Sequence, residues 1–261
     1  MENIEDLIHN LLIECGEVGY LSYEKGWAEA NAGNLSIRLN DDITNQLNNK
    51  KLEVYSRFEI KSDLSNIKGK YFLVKGSGKR MRDIKTAPEQ NLCLGSIIDN
   101  LFQIIWPPNC NFKPTSEIET HMAMHNFILK NKPEFTSIFH THPIEVIELI
   151  NLRLPNKERR LYEMNPNMAI YLPEGIGILS FEVPSSLELA EKTLEKLKKY
   201  RVVIWQLHGI ICIEHSLTTC FDLIDIINKA SYFVLKSENQ GFYKLSDKQI
   251  IDLKSSHRKM D

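Results

Sequence analysis

The chain has 261 residues, 43% of them hydrophobic, enough for a substantial buried core in one large domain or two small ones. Its 32 basic and 34 acidic residues give a net charge of -2 and are mixed along the sequence, which leaves no field to hold a nucleic acid or an anionic membrane surface. The cysteines Cys15, Cys93, Cys110, Cys212 and Cys220 are scattered and contain no Cys-x-x-Cys pair, which argues against a disulfide framework and a thiolate zinc site. With an acidic start (Glu2, Glu5, Asp6) and no apolar run near the ~18 residues a membrane span needs, they point to a cytoplasmic protein.

Residues 4–22 place Ile4, Leu7, Ile8, Leu11, Leu12, Cys15 and Val18 at helical spacing, which predicts an amphipathic first helix weakened towards its end by Gly16 and Gly19. From Gly26-Trp27 the chain passes through the small-residue run Asn31-Ala32-Gly33-Asn34 into an alternating strand, Leu35 to Leu39. Asn tolerates and Gly freely adopts left-handed backbone, so this loop can turn its amides toward an anion. Residues 40–52 are polar and rich in Asn and Lys and read as a solvated loop or hairpin extension. Tyr71-Phe72-Leu73-Val74 is a compact strand that runs into Lys75-Gly76-Ser77-Gly78, a loop able to bring amides and a hydroxyl to a ligand.

Pro114-Thr115-Ser116-Glu117-Ile118-Glu119 reads as a helix start with Ser116 as cap and Glu119 completing a capping box, followed by Ile118, Met122, His125 and Ile128 at helical spacing. Such a start can hold a phosphate. Glu117, in the first turn, is explained without catalysis as a favourable contact with the helix dipole. Ala169 to Pro173 reads as a short strand, and Leu187, Ala190, Leu194 and Leu197 mark a helix. A strand over Val202 to Leu207 ends at His208, and Ile210 to Ile213 continues as a strand. Leu217, Phe221, Ile224, Ile227 and Leu235 give a last long helix before a mobile tail from Ser255. With no repeat or linker, the expectation is a single domain over 1–261, with helices around a mixed or antiparallel sheet.

The chemistry concentrates at Phe139-His140-Thr141-His142. On a strand, side chains alternate between faces, so His140 and His142 point the same way, roughly 7 Å apart, and can share one metal ion. Such sites take a third ligand from elsewhere and keep a position open when the metal is catalytic; His208 is the best candidate.

Taken together, Gly26-Trp27, Asn31 to Ser36, Lys75 to Gly78, Thr115-Ser116-Glu117, His140-Thr141-His142, Pro173-Glu174-Gly175-Ile176-Gly177 and Trp205-Gln206-Leu207-His208-Gly209 resemble the class II aldolases of the fuculose/rhamnulose phosphate type, a family that includes ribulose-phosphate 4-epimerases. The likeness is greatest to its rhamnulose-1-phosphate branch. It implies an α/β/α layered domain around a largely antiparallel sheet, assembled as a cyclic homotetramer with active sites at subunit interfaces. By resemblance, His140, His142 and His208 hold one zinc ion per chain, Glu117 is the catalytic carboxylate, and Asn31, Gly33, Asn34, Ser77, Gly78, Thr115 and Ser116 hold the substrate phosphate.

The implied reaction is reversible cleavage of L-rhamnulose 1-phosphate to dihydroxyacetone phosphate and L-lactaldehyde. In it zinc offsets the charge of an enediolate and Glu117 handles the proton at the enediolate carbon. An aldolase for another sugar phosphate, or a 4-epimerase, would use the same scaffold, and a non-catalytic metal-binding relative is the reading from another class. One position departs from the resemblance. Where rhamnulose-1-phosphate aldolases carry a second carboxylate reaching the neighbouring subunit, this chain has Asn167, which cannot exchange a proton near neutral pH; either Glu163, four residues earlier, or a zinc-polarised water takes the role, or the enzyme is slow or works on a different aldehyde.

Overall fold

The computed structural model describes residues 3–237 and 241–257. In chain order its elements are α1 (Ile4–Glu24), β1 (Asn34–Arg38), α2 (Asp41–Asn48), β2 (Ser56–Glu59), β3 (Tyr71–Lys75), α3 (Pro88–Asn91), β4 (Leu92–Ile98), β5 (Leu101–Trp106), α4 (Ile118–Asn131), β6 (Ser137–Thr141), α5 (Ile144–Asn151), α6 (Lys157–Met164), α7 (Pro166–Tyr171), β7 (Gly177–Leu179), α8 (Leu187–Leu197), β8 (Val202–Trp205), β9 (Gly209–Glu214), α9 (Leu217–Ser237) and α10 (Asp247–His257).

The strands form one sheet in the order β2-β5-β4-β3-β1-β6-β9-β8-β7. Every pairing is antiparallel except β7 with β8. Period-two alternation sends successive side chains to opposite faces. Leu73, Leu94, Phe139 and Cys212 join one core with residues of α1, α5, α6, α7 and α9, while Phe72, Val74, Ile138 and Ile211 join two smaller cores with residues of α4 and α8. The result is a helix-sheet-helix sandwich around a mostly antiparallel sheet, as expected. With both faces covered, β1 is buried along its whole length and does not alternate as its sequence suggests.

Several local expectations are corrected. The polar stretch after residue 40 contains α2, whose Asn40 caps the Ile43 amide at 2.9 Å while Thr44 and Leu47 are buried. An Asn cap, two acids in the first turn and a short apolar stripe make a helix of a segment whose composition reads as loop. Residues 166–171 form α7 instead of a strand, with Asn165 as cap and Pro166 at the first turn; a short apolar run does not by itself decide between the two. Helix α1 continues through Gly16 and Gly19 to Glu24, and these glycines let another segment pass. A Cβ on Gly19 would lie 2.6 Å from the Met81 carbonyl oxygen, and one on Gly16 2.9 Å from the Lys85 Cα. Ser255 belongs to α10, so the expected tail is helical through His257, and residues 258–261 lie outside the described residues.

Candidate active site

The middle of the sheet places the histidines. Strand β6 lies between β1 and β9, with His140 opposite Asn34 on one side and Ile211 on the other. His142 sits just beyond the strand, where its amide donates to the Trp27 carbonyl at 2.9 Å and the neighbouring Thr141 hydroxyl donates to the same oxygen at 2.8 Å. Trp27, buried against Phe221, thereby fixes the turn that carries His142. His208 does not end a strand. Strand β8 stops at Trp205, and Gln206, Leu207 and His208 form the tip of a hairpin closed by the His208 amide on the Trp205 carbonyl. Leu207 adopts φ +62°, a conformation that costs a non-glycine residue roughly 1–2 kcal/mol, and this turn swings His208 back over the cleft.

The three imidazoles meet, with one ligand atom from each lying within 4.8 Å of the others. The His140 Nδ1–H donates to the Ile210 carbonyl at 2.9 Å and the His142 Nδ1–H to the Glu29 carboxylate at 2.9 Å, so both Nε2 lone pairs face the cleft. Burial, with the neighbouring His142 and His208, keeps His140 well below the usual imidazole range, and burial and His142 push His208 down to about 4. Neutral imidazoles with convergent lone pairs are the donor set a borderline metal ion takes, and they fit such an ion. Trp205 backs the site, its ring 4.8 Å from His140 and 5.1 Å from His208, and its indole N–H donates to the Thr193 hydroxyl at 3.0 Å. Gly209 is required here, because a Cβ would stand 2.6 Å from the Thr141 carbonyl oxygen and 2.7 Å from the His142 ring.

Glu117 stands beside this cluster, Oε2 4.0 Å from His140 Nε2 and Oε1 3.8 Å from His208 Nε2. It is 5% exposed. Burial raises its carboxyl above the usual range, against the Asn34 hydrogen bond and the charges of His142 and Lys75. The expected capping box is absent. Helix α4 begins at Ile118, and Glu119 instead accepts the amides of Lys61 and Ser62 at 3.0 and 2.7 Å. Glu117 therefore occupies the cap position without making a cap hydrogen bond.

The cleft is lined by Asn31 to Asn34, Lys75 to Gly78, Thr115 to Glu117 and the three histidines, so every residue expected to hold phosphate reaches it. Their means differ. The Ser77 amide is spent on the Lys113 carbonyl, so what Ser77 can offer a ligand is its hydroxyl; Gly78, at φ +69°, leaves open space where a side chain would stand. The Asn34 carboxamide is turned to Glu117, donating to Oε2 at 2.8 Å. Lys75, in the sequence only part of a glycine loop, lines the cleft as well. The residue is 2% exposed, and its ammonium donates to the Asn31 carbonyl at 2.9 Å and is pulled by burial down to about 8, against the attraction of Glu117. The signal was there: a lysine closing an apolar strand at a glycine loop is a candidate anion ligand.

Glu163 and Asn167 do not line this cleft. Glu163 pairs with Arg159 at 2.8 Å, and Asn167 is exposed on the first turn of α7. The Pro173 to Gly177 motif is architectural: Glu174 pairs with Arg201, which also holds the buried Glu214, and Gly175 takes φ +96°.

Residues 14–235 match the family described as Class II Aldolase and Adducin N-terminal domain. A rhamnulose-1-phosphate aldolase of Bacteroides thetaiotaomicron is 34% identical over 231 residues, covering 86% of this chain and 84% of its own. One of Listeria monocytogenes is 30% identical over 236 residues, covering 87% and 86%. The crystal structure of a sugar-phosphate aldolase from Thermotoga maritima superposes with a TM-score of 0.79 at 29% identity, covering 90% of this chain and 98% of that one. An L-fuculose-1-phosphate aldolase from Thermus thermophilus, 16% identical with a TM-score of 0.55 over 86% of this chain and 93% of its own, shares the fold. A three-histidine cluster beside a buried carboxylate, on this fold and with this family match, places the chain in the class II aldolase family, as an aldehyde-lyase.

Proposed function

We propose that this chain is a zinc-dependent aldolase that reversibly cleaves L-rhamnulose 1-phosphate to dihydroxyacetone phosphate and L-lactaldehyde. The observation that carries the reading is Glu117, buried and within 4.0 Å of two of three convergent imidazoles, at one end of a cleft whose other walls are glycine, amide, hydroxyl and ammonium groups. The names of the curated relatives support the choice of sugar.

His140, His142 and His208 would hold the zinc, which when bound supplies positive charge where an oxyanion develops. The chain's own groups account for the rest. Gly33, Ser77, Gly78, Thr115 and Ser116 hold the phosphate from loop amides and hydroxyls, joined by Asn31, and Lys75 adds a cationic group, the one lysine or arginine among the described lining residues. In the cleavage direction the C4 hydroxyl passes its proton to the second acid/base or to water, the C3–C4 bond breaks with its electron pair passing to C3, and L-lactaldehyde leaves. Glu117, in its protonated form, then delivers a proton to C3 and gives dihydroxyacetone phosphate. Its raised pKa suits a group that must hold a proton and release it.

The assembly is proposed to be a homotetramer in which the second acid/base comes from a neighbouring subunit. Asn167, exposed outside its own cleft, or Glu163 four residues earlier, stands at that position. Five free cysteines suit a reducing, cytoplasmic compartment. Among the described residues no helix is long and apolar enough to cross a membrane. The test is a coupled assay for dihydroxyacetone phosphate over a panel of 1-phosphoketoses, with metal analysis of the same preparation. Release from rhamnulose 1-phosphate with one zinc per chain is expected; release only from another ketose 1-phosphate would reassign the sugar, and activity indifferent to chelators would remove the metal.

A further inference from the structure

Behind Glu117 runs a chain of hydrogen bonds that no step above uses. The His125 Nε2 lies 2.8 Å from the Ser36 hydroxyl, the Ser36 hydroxyl 2.7 Å from His121 Nδ1, and His121 Nε2 2.5 Å from the Asn34 side-chain oxygen, while the Asn34 nitrogen donates to Glu117 Oε2 at 2.8 Å. Ser36, His121 and His125 have no solvent exposure at all. They come from two elements, β1 and α4, that meet across one face of the sheet.

The chemistry of each link fixes its direction. Ionised Glu117 only accepts, and protonated Glu117 can carry its proton on Oε1 and still accept at Oε2, so Asn34 presents its NH2 to Glu117 and its carbonyl oxygen to His121. His121 must then carry its proton on Nε2 and leave Nδ1 as an acceptor. Ser36 therefore donates to Nδ1 and receives a hydrogen bond from the His125 Nε2–H. His125 is left with an Nδ1 lone pair, and that atom is indeed buried with no partner among the described residues. An unmet lone pair is the less costly way to end such a chain, since a buried N–H without an acceptor is rarer. Burial holds both histidines far below the usual imidazole range, His121 at about 3, so neither contributes a second proton that would blur the direction.

We propose that Ser36, His121 and His125 are positioning residues: their one-way hydrogen-bond chain locks the Asn34 carboxamide with its N–H toward Glu117 and so holds the catalytic carboxylate in place. The chain does not shuttle protons, because the Asn34 amide at its end cannot exchange one near neutral pH. Its effect is orientational. With the carboxamide free to turn over, its oxygen would face the Glu117 carboxylate and push it out of place. The role in turnover rests on Glu117 being the acid/base of the proposed reaction; the orientation itself does not.

The experiment uses the full-length, metal-loaded protein and two variants of the middle link, Ser36→Ala, which removes the hydroxyl, and Ser36→Thr, which keeps it. Long-range imidazole ¹⁵N spectra of the wild type are expected to show His121 and His125 both as Nε2–H tautomers. The Asn34 side-chain amide protons are expected to exchange at least about tenfold faster in Ser36→Ala than in the wild type, and close to wild type in Ser36→Thr. With an active substrate in hand, Ser36→Ala lowers kcat by about tenfold with KM within twofold, at unchanged metal content, and Ser36→Thr restores kcat. An Nδ1–H tautomer at His121 in the wild type, or Asn34 exchange untouched by Ser36→Ala, would overturn the proposal whether or not the aldolase reading holds. Wild-type tautomers and exchange in a protein with no aldolase activity would retain the lock and reject the reaction. A fall in metal content or melting temperature equal in both variants would assign Ser36 to packing alone.

Discussion

His140 Nε2 and His142 Nε2 lie 3.2 Å apart, and neither carries a hydrogen to place between them, because each ring has committed its N–H to an acceptor on its far side, Ile210 and Glu29 respectively. Two lone pairs facing at this distance repel unless a cation sits against both. The arrangement is built in by elements far apart in sequence. The Ile210 carbonyl belongs to β9, Glu29 to the loop before β1, and the main chain of His142 is tied to Trp27. The same ties set the spacing and the tautomers, so the site is preorganised as a ligand set by the fold itself.

Gly209→Ala is expected to damage metal binding without touching a ligand. Its methyl group would need the space of the Thr141 carbonyl and the His142 ring, with contacts of 2.6 and 2.7 Å, and backbone cannot give way as a flexible side chain would. A loss of about 10–100-fold in metal affinity is expected, the scale seen when a ligand's supports are disturbed. Competition against a chromophoric chelator measures it, and wild-type affinity would show that the hairpin yields more easily than this geometry allows.

Glu117→Gln keeps the shape of the side chain and its place beside the histidines while removing its capacity to exchange a proton. Turnover should fall by at least ~100-fold with metal content unchanged. The Gln carbonyl oxygen can still accept from the Asn34 nitrogen, which places its NH2 group on the side of His208. Turnover within about threefold of wild type would return Glu117 to the role of a helix-start residue.

What the sequence made legible was mostly local. Alternation on a strand is enough to put His140 and His142 on one side, and a single-face apolar stripe is enough to find α1 and α9. His208 was legible as the third member of the histidine cluster, but the hairpin that carries it was not, since the strand ends at Trp205 and only the positive φ of Leu207 reveals the turn. Lys75 and His121 escaped for a different reason. Lys75 was legible only as part of a glycine loop and His121 only as part of a helix with an apolar stripe, and their contacts depend on partners 42 and 87 residues away, Glu117 for one and Asn34 for the other. Helices α2 and α7 were missed where capping chemistry outweighs composition.

Asn167→Glu tests the departure from the rhamnulose-phosphate pattern. If Asn167 occupies the position of a lost acid/base, restoring a carboxylate should raise turnover on rhamnulose 1-phosphate by about tenfold or more, ~1.4 kcal/mol off the barrier. No gain, together with an ordinary wild-type rate and a collapse in Glu163→Gln, would move the role to Glu163. Because Glu163 is engaged by Arg159, with Lys244 3.9 Å away, the Glu163→Gln variant needs a melting curve beside its kinetics.

Lys75→Met should separate stability from function. In the folded chain Lys75 is 2% exposed and burial brings its pKa from 10.5 to about 8, while in the unfolded chain it titrates near the ordinary value. Between these two values the unfolded chain holds a proton that the folded chain has released. Stability therefore rises with pH across that window, and below about 8 the full cost of burying the charge is present. A methionine of similar length removes that cost, and its one lost hydrogen bond leaves the carbonyl of Asn31, an exposed residue, open to water. We expect Lys75→Met to stabilise the fold at pH 7 by about 1–3 kcal/mol, read as a rise in melting temperature that shrinks as the pH is raised toward 10. The same variant loses the cation of the cleft, so KM for a phosphorylated ketose should rise about tenfold or more, and the wild-type KM should itself climb above pH 8 as the ammonium deprotonates. A variant that is less stable at every pH, with an unchanged KM, would show that Lys75 holds the Asn31 loop in place and takes no part in binding the phosphate.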